Sequence, residues 1–243
     1  MVKATRRESI QGLDSIVING RKVFFRPDTN DISLVKEVIV FGRRCYQRSR
    51  SGFMIEPGEI WLDLGGSIGV FAVLCEELGA RTISYEPLKA NVDVFRQNSK
   101  FPVHQSCVTY KKDKQINFFV SSKSGNHSRG TVSKWNKWSH LKKFKKVPNT
   151  HWDNIVGGWD CIKMDIEGSE FELLDNINFG SLCKKMVLEY HFSRDKNVDH
   201  FRKRINKLKD TFKRLILSPE LQRIYTGESD EVPYLDRTVF CLN

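Results

Sequence analysis

The stretch 60-IWLDLGGSIGVFAVL-74 decides the fold of this 243-residue chain. An apolar run of strand length ends in an acid, two glycines and a serine, and apolar residues then return at helical spacing. Glycines at such a turn permit unusual backbone angles and allow a ligand to approach the main chain closely. The stretch therefore predicts a buried strand that turns sharply into a helix, with a ligand at the N-terminus of that helix.

Short apolar strands alternate with amphipathic helices from Pro57 onward, a pattern typical of βαβ units in a parallel sheet. Strands are expected at 60–64, 81–85, 103–108, 160–166, 185–191, 214–218 and 237–243, and helices at 68–78, 88–98, 169–176 and 198–212. The interval of about 18 residues between the last two strands is expected to be irregular.

The N-terminal segment is predicted to form an extension ahead of this main fold, as a lid or brace. Asn19-Gly20 interrupts an alternating apolar pattern and is the dipeptide that type I′ hairpins prefer. A helix is expected next, capped by Asp31 or Ser33 and leading to Gly42. The predicted division is a hairpin and helix extension at 1–55 and a main domain at 56–243, with a basic aromatic insertion at 121–150.

Composition indicates a basic protein with free thiols. The chain has 40 Lys and Arg against 29 Asp and Glu, and its formal charge of +11 attracts anionic partners without selecting one. The six cysteines lack paired or zinc-binding spacing, so buried free thiols are expected. No stretch resembles a membrane span or a signal peptide, so we expect a soluble, cytoplasmic protein.

The spacing at the glycine turn argues against a dinucleotide. A GxGxxG motif counted from Gly65 needs glycine at position 67, where this chain has Ser67. The observed spacing is Asp63-x-Gly65-x-x-x-Gly69, and Glu86 follows at the end of the next predicted strand. A carboxylate at that place accepts hydrogen bonds from the ribose hydroxyls of a nucleoside.

This spacing resembles the first two motifs of class I S-adenosylmethionine-dependent methyltransferases. The segments 63-DLGGSIGVFAVL-74, 85-YEPLKANVDVFRQN-98 and 162-IKMDIEGSEFELL-174, followed by 187-VLEYH-191, together resemble the FkbM family of methyltransferases. The resemblance implies a Rossmann-like, doubly wound α/β fold with a mostly parallel seven-stranded sheet. It also implies S-adenosylmethionine as methyl donor and a hydroxyl of a sugar, glycan or small metabolite as acceptor.

The resemblance places the cofactor between the glycine turn and the end of the next strand. The residues expected to contact it are Asp63, Gly65, Gly66, Ser67, Gly69, Glu86, Pro87 and Cys107.

Two residues are candidates for the base that removes the proton from a hydroxyl acceptor. Asp165 stands at the end of a predicted strand beside the expected cofactor, and His191 ends the next strand. Each also has a structural interpretation. Asp165 could cap the helix that begins near Gly168, and His191 could be a hydrogen-bonded structural residue.

Lys163 and Glu167 are predicted to contact the acceptor. Lys163 points the same way as Asp165 in strand alternation, so it either pairs with that acid or faces the acceptor. Glu167, Glu189 and Asp165 could also bind a divalent cation such as magnesium. The neighbouring Lys163 disfavours that alternative, and no metal ligands are assigned.

The segment 134-KWNKWSHLKKFKK-146 combines six lysines with aromatic residues and contains no acid. Trp135 and Trp138 are therefore candidate substrate contacts, suited to stacking on sugars or bases, and the lysines suit an anionic or nucleic-acid partner. An amphipathic helix with Trp135, Trp138 and Leu141 packed inward fits the same pattern.

The leading functional interpretation is an O-methyltransferase that acts on a sugar, glycan or small metabolite. The alternative is an RNA or other nucleic-acid methyltransferase, suggested by the charge and by segment 134–146. Two absences disfavour it: no Asn/Asp-Pro-Pro-aromatic run follows the fourth strand, and Glu189 stands where a Lys-Asp-Lys-Glu tetrad needs lysine. A third interpretation is an inactive binding protein with the same fold.

Overall fold

A computed structural model of the protein describes residues 12–41, 46, 52–120, 130–131, 143–192, 197–230 and 237–243. The strands are β1 (Asp14–Ile18), β2 (Arg21–Phe25), β3 (Ile60–Leu64), β4 (Arg81–Tyr85), β5 (Val103–His104), β6 (Cys107–Thr109), β7 (Gln115–Val120), β8 (Gly130–Thr131), β9 (Lys143–His151), β10 (Cys161–Met164), β11 (Lys185–Tyr190), β12 (Arg214–Ile216) and β13 (Arg237–Leu242). The helices are α1 (Asp31–Val35), α2 (Val70–Glu77), α3 (Lys89–Asn98), α4 (Glu170–Asn176), α5 (Val198–Thr211) and α6 (Pro219–Thr226).

The central sheet has seven strands in the order β12-β13-β11-β10-β3-β4-β5. All pairs from β11 to β5 are parallel, and β13 runs antiparallel to both of its neighbours. This is the mostly parallel, Rossmann-like α/β sheet that the resemblance implies, and that prediction is confirmed. Since parallel strands end at the same edge, β3, β4, β10 and β11 bring the residues that follow them together.

The two faces of the sheet are covered by different layers, because alternate residues of each strand point to opposite sides. On β11, Met186 and Leu188 belong to the core that includes residues of α4, α5 and α6, whereas Val187 belongs to the opposite core. The second core contains α2 and the N-terminal hairpin. Phe53, ahead of β3, packs there with its ring centroid 4.7 Å from that of Phe240.

The N-terminal hairpin forms as predicted. Asn19 and Gly20 have φ of +51° and +82°, the two positive angles of a type I′ turn. The helix after it differs in detail from the prediction. Asn30 precedes α1 as the N-cap residue, and the helix continues as a π-helix over Lys36–Phe41. Asp31 does not cap, because its carboxylate is bound by Arg26 at 2.8 Å. The division of the chain at residue 55 remains a prediction.

Two sequence predictions about the later elements are wrong. The interval after β12 is not wholly irregular, since it contains α6, whose N-cap Ser218 accepts a hydrogen bond from Leu221 N. The strand expected at 103–108 divides into β5, in the central sheet, and β6, in a four-stranded sheet of order β6-β9-β7-β8.

The described part of the basic segment is also a strand. Residues 143–146 belong to β9, which pairs with β6 and β7. Trp135 and Trp138, predicted as substrate contacts, lie outside the described residues. Five cysteines are free and buried, as expected, and Cys45 lies outside the described part. Within the described ranges, we find no helix of the length and apolarity that a membrane crossing requires.

Candidate cofactor and acceptor site

A cavity of about 340 Å³ lies at the carboxyl ends of β3, β4, β10 and β11. The residues after each of these strands line it, together with Cys107 from β6 and Phe118 from β7. One wall is contributed by the helix of the N-terminal extension, through Leu34, Glu37 and Val38. A volume of this size is typical of small-molecule and cofactor sites.

The glycine turn after β3 is shaped by the chain itself. Gly65 has φ of +86°, and a Cβ placed there would lie 1.9 Å from the carbonyl oxygen of Asp165. The close approach at Gly65 is therefore made by the loop after β10, not by a ligand as the sequence suggested. Gly69 likewise packs against Phe95 of α3, with a built Cβ 2.9 Å from its ring.

The backbone amides of the turn are already used. Gly65 N and Gly66 N both donate to the carbonyl oxygen of Tyr85 at 3.0 Å, and Ser67 N donates to Glu86 Oε2 at 2.9 Å. A turn that binds phosphate presents such amides to its ligand. This turn therefore suits a nucleoside without a pyrophosphate, in agreement with the absence of the GxGxxG motif.

Glu86 is held rigidly at the edge of the cavity. Its Oε1 accepts hydrogen bonds from Leu88 N at 2.8 Å and Asn91 Nδ2 at 3.1 Å, and its Oε2 accepts the bond from Ser67 N. Burial raises the pKa of Glu86 to about 7, although these three donors favour the ionised form. Oε2 has one such donor and retains acceptor capacity toward the cavity.

A buried ion pair lies beneath the turn. Asp63 Oδ2 accepts a hydrogen bond from Ser84 Oγ at 3.0 Å, and its Oδ1 lies 3.1 Å from Lys163 Nζ. Lys163 also donates to the carbonyl oxygen of Gly65 at 2.8 Å and lies 3.8 Å from Asp165 Oδ2. Burial would lower the pKa of Lys163, but the Asp63 and Asp165 carboxylates outweigh it and raise that pKa. Of the two predicted positions of Lys163, the ion pair is present, and Lys163 also lines the cavity.

His191 is surrounded by three carboxylates. Its Nδ1 lies 2.8 Å from Glu170 Oε1, and its Nε2 lies 3.6 Å from Asp165 Oδ1 and 3.8 Å from Glu167 Oε2. Burial would lower the pKa of His191, but Glu170, Glu167 and Asp165 together raise it well above its ordinary value. These carboxylates therefore favour the protonated form of the imidazole in the free protein.

The loop between β10 and α4 positions the acids of this cluster. Asp165 N donates to the carbonyl oxygen of Leu64, which continues the β10–β3 pairing by one residue. Glu167 has φ of +55°, a backbone conformation rare for residues other than glycine, and its carboxylate points toward His191. The N-cap of α4 is Ser169, so the alternative role of Asp165 as a helix cap is not observed.

The remaining predicted residues divide into those at the cavity and those below it. Pro87 and Cys107 line the cavity with Glu86, and burial raises the pKa of the Cys107 thiol. Asp63, Gly66 and Gly69 lie beneath, where they support the turn.

Sequence reasoning missed two contributors. Glu170 holds the imidazole of His191 and also accepts a hydrogen bond from Gly168 N at 2.7 Å. Its position in the 165-DIEGSE-170 block was the available signal, but no role was assigned to it. The helix wall at Leu34 and Val38 was predicted as part of a lid or brace, without a contact to the site.

Two features test whether a nucleoside cofactor fits the cavity. Ser67 Oγ is buried and has no hydrogen-bond partner among the described residues, so a donor or acceptor of a ligand is available to it. Glu86 Oε2 presents a carboxylate oxygen at the same edge. Both are suited to the polar groups of a ribose and amino acid, and the residues present therefore fit S-adenosylmethionine.

One family model and several solved structures are similar to this chain. A family model described as the methyltransferase FkbM domain matches residues 63–215. Magnesium protoporphyrin IX methyltransferase from Synechocystis PCC 6803, solved with bound SAM, is 12% identical, with 88% of this chain and 82% of that chain covered and a TM-score of 0.46. Aeropyrum pernix fibrillarin, solved with S-adenosyl-L-methionine, is 11% identical, with both chains covered at 100% and a TM-score of 0.45. A direct comparison with curated protein sequences finds no match.

Proposed function

Because this chain belongs to the FkbM family of methyltransferases, with S-adenosylmethionine as methyl donor, we propose that it methylates a hydroxyl oxygen of a sugar, glycan or small metabolite. The observation that carries the proposal is the carboxylate of Asp165, which lines the cavity one strand away from the glycine turn. A hydroxyl acceptor needs a group that removes its proton, and a carboxylate supplies one.

The cofactor is proposed to lie between the glycine turn and Glu86. Its ribose hydroxyls would donate to Glu86 Oε2, and Ser67 Oγ would bind a polar group beside them. Cys107 and Pro87 line the same part of the cavity and provide apolar surface for the base. The acceptor would then lie on the side of the cavity at the end of β10, beside Asp165.

Bound S-adenosylmethionine would supply the methyl group by in-line displacement, in which the C–O bond to the acceptor forms as the C–S bond breaks and S-adenosylhomocysteine leaves. The hydroxyl proton passes to a carboxylate oxygen of Asp165. Lys163, 3.8 Å from Asp165 Oδ2, keeps this carboxylate oriented.

Of the two candidate bases, Asp165 is the better one. The carboxylates around His191 raise its pKa and favour the imidazolium, which has no lone pair that can accept a proton. The side chain of Asp165 is 33% exposed and reaches the cavity, whereas that of His191 is 2% exposed. We assign His191 the role of holding Asp165 and Glu167 in place.

The charge around the acceptor position supports an uncharged acceptor. The acidic side chains at the strand ends are Asp63, Asp165, Glu167, Glu170 and Glu189, and the cations among them are Lys163 and His191. Among the described side chains at these strand ends the negative charge exceeds the positive, which disfavours a phosphodiester backbone and tolerates a neutral hydroxyl compound. The alternative of nucleic-acid methylation rests on the overall charge of +11 and on the basic segment 134–146.

An assay with labelled S-adenosylmethionine tests the proposal. The chain is incubated separately with sugars and glycans, with hydroxylated small metabolites, and with RNA and DNA, and the label is followed into each fraction. We expect label in a glycan or metabolite fraction, as an ether that resists mild alkali. Label confined to nucleic acid would instead support the alternative acceptor class.

A further inference from the structure

The imidazole of His191 has two different environments. Nδ1 lies 2.8 Å from Glu170 Oε1, and since a carboxylate only accepts, Nδ1 carries the hydrogen of this bond. Glu170 is itself fixed, because His191 N and Gly168 N both donate to its carboxylate. Nε2 is thereby directed toward Asp165 and Glu167, at distances longer than a hydrogen bond.

We propose that Asp165, Glu167 and His191 form a binding site for a divalent cation of the magnesium and manganese class. One ligand atom from each residue lies within 4.8 Å of the other two. Ligands about 2.0–2.3 Å from one ion are separated by roughly 3–4.5 Å, so only small side-chain movements are needed to close the site. Carboxylate oxygens with one imidazole nitrogen form a ligand set that such ions accept.

The contact between His191 and Glu170 is the observation that separates this site from an ordinary group of acids. Histidines that bind metals commonly donate their second ring N–H to a carboxylate, which sets the tautomer and the ring orientation. The imidazole is almost fully buried, and its second ring nitrogen, Nε2, faces the two carboxylates that reach the cavity. Each part of that arrangement is present here.

The cation gives the acceptor a defined position, a consequence that rests on the proposed function. With three protein ligands the ion retains open positions on the cavity side, where two neighbouring hydroxyl oxygens of one acceptor molecule can bind. A bound hydroxyl loses its proton more readily, which assists transfer of that proton to Asp165. The site therefore favours an acceptor with adjacent hydroxyls, as many sugars have.

Manganese binding to the complete chain, without cofactor or acceptor, tests the site. Titration with Mn²⁺ followed by electron paramagnetic resonance should show one saturable site. Pulsed measurements should show ¹⁴N coupling from the imidazole. Glu167→Gln and Asp165→Asn should each weaken Mn²⁺ binding at least tenfold, and His191→Gln should remove the ¹⁴N coupling. Asp153→Asn removes the same charge from an exposed acid outside the cavity and should leave Mn²⁺ affinity unchanged.

The outcomes separate this proposal from the proposed function. Absence of a saturable site, no ¹⁴N coupling, or equal affinity in Glu167→Gln would overturn the metal site. Glu167 stands on a turn with 20% of its side chain exposed, so this variant is expected to fold even if His191→Gln does not. Calorimetry with S-adenosylmethionine in metal-free buffer is the second measurement. Binding of the cofactor without binding of Mn²⁺ would overturn only the metal site. Binding of Mn²⁺ without binding of the cofactor would overturn only the proposed function.

Discussion

Glu86 is the residue on which the proposed recognition of the cofactor depends. Its carboxylate is buried, receives three hydrogen bonds from the protein, and has a pKa raised to about 7. Between pH 4.5 and 7 the folded free chain retains this proton, whereas the unfolded chain has lost it. Rising pH in that interval therefore destabilises the free protein through this group.

Cofactor binding should show the opposite dependence on pH. An ionised carboxylate is the stronger acceptor for ribose hydroxyls, so we expect affinity for S-adenosylmethionine to rise about tenfold between pH 6 and pH 8. Glu86→Gln keeps the shape of the side chain and cannot ionise. Calorimetry across this pH range should show weaker and nearly constant binding in the variant. A wild-type affinity that does not change with pH would remove Glu86 from the site.

Asp165→Asn tests the proposed base separately from the cofactor site. The amide cannot take the hydroxyl proton, so turnover should fall by about 100-fold or more. Affinity for S-adenosylmethionine, measured by calorimetry, should stay within about twofold, since Asp165 is not assigned to the cofactor. Asp153→Asn, an exposed acid outside the cavity, serves as the control. Full activity in Asp165→Asn would eliminate it as the base.

For individual residues, the sequence predicted which ones stand at strand ends, but it did not predict which side chains they contact. Asp165, His191 and Glu86 could be predicted because each follows an apolar run that reads as a strand. The contact between Glu170 and His191 depends on how α4 sits over β11, which no local pattern encodes. The raised pKa of His191 follows from that contact, and it favours Asp165 among the two predicted bases.

Among the elements, the turn from β3 into α2 has the strictest requirements. Gly65 stands where the loop after β10 crosses, so that the two segments that carry the site are packed directly on each other. A cofactor bound at this turn, as proposed, would therefore be coupled to the position of Asp165. Its glycines have positive φ at positions 65 and 69, where other residues are strained.

Gly65→Ala should disrupt this element. The added Cβ meets the Asp165 carbonyl oxygen at 1.9 Å and φ is +86°, so we expect a loss of about 2–4 kcal/mol in free energy of unfolding. Gly157→Ala is the matched control, because nothing lies within 4 Å of a Cβ there. Chemical denaturation measures both. A Gly65→Ala variant as stable as the control would mean that the turn and the β10 loop are not in contact.

The elements that sequence predicted well are those with long, regular patterns. Strands β3, β4 and β11 and helices α3 and α5 lie close to where periodicity places them. Helix α6 was missed although Ser218-Pro219 and Gly227 are ordinary start and stop signals, because its eight residues carry few apolar positions. The division of 103–108 between two sheets was not predictable, since both strands are too short to specify partners.

For the molecule as a whole, the N-terminal extension is connected to the cofactor site through a chain of polar contacts. Arg26 pairs with Asp31 at 2.8 Å and donates to Asn91 Oδ1 at 2.8 Å. Asn91 in turn donates to Glu86 Oε1. The extension is predicted from sequence as a lid or brace. Two successive hydrogen bonds, through Asn91, thus connect its Arg26 to the carboxylate of Glu86, the proposed acceptor of the ribose hydroxyls.

Arg26→Leu should lower both the stability of the fold and the affinity for the cofactor. It leaves the fully buried Asp31 without its charge partner, so we expect a loss of about 3 kcal/mol in free energy of unfolding and weaker cofactor binding. Lys89→Met breaks an exposed pair with Asp93 on α3 and should cost about 0.5 kcal/mol or less. Thermal denaturation and calorimetry compare the two variants. Equal losses of stability and of cofactor affinity in the two variants would show that the extension does not support the site.

We propose that the glycine turn and Glu86 hold S-adenosylmethionine with its methyl group directed at Asp165. A crystal structure of the chain with S-adenosylhomocysteine tests this arrangement. We predict ribose hydroxyls within hydrogen-bond distance of Glu86 Oε2 and the sulfur facing the Asp165 carboxylate. A nucleoside bound elsewhere, or a sulfur turned away from the end of β10, would contradict the account.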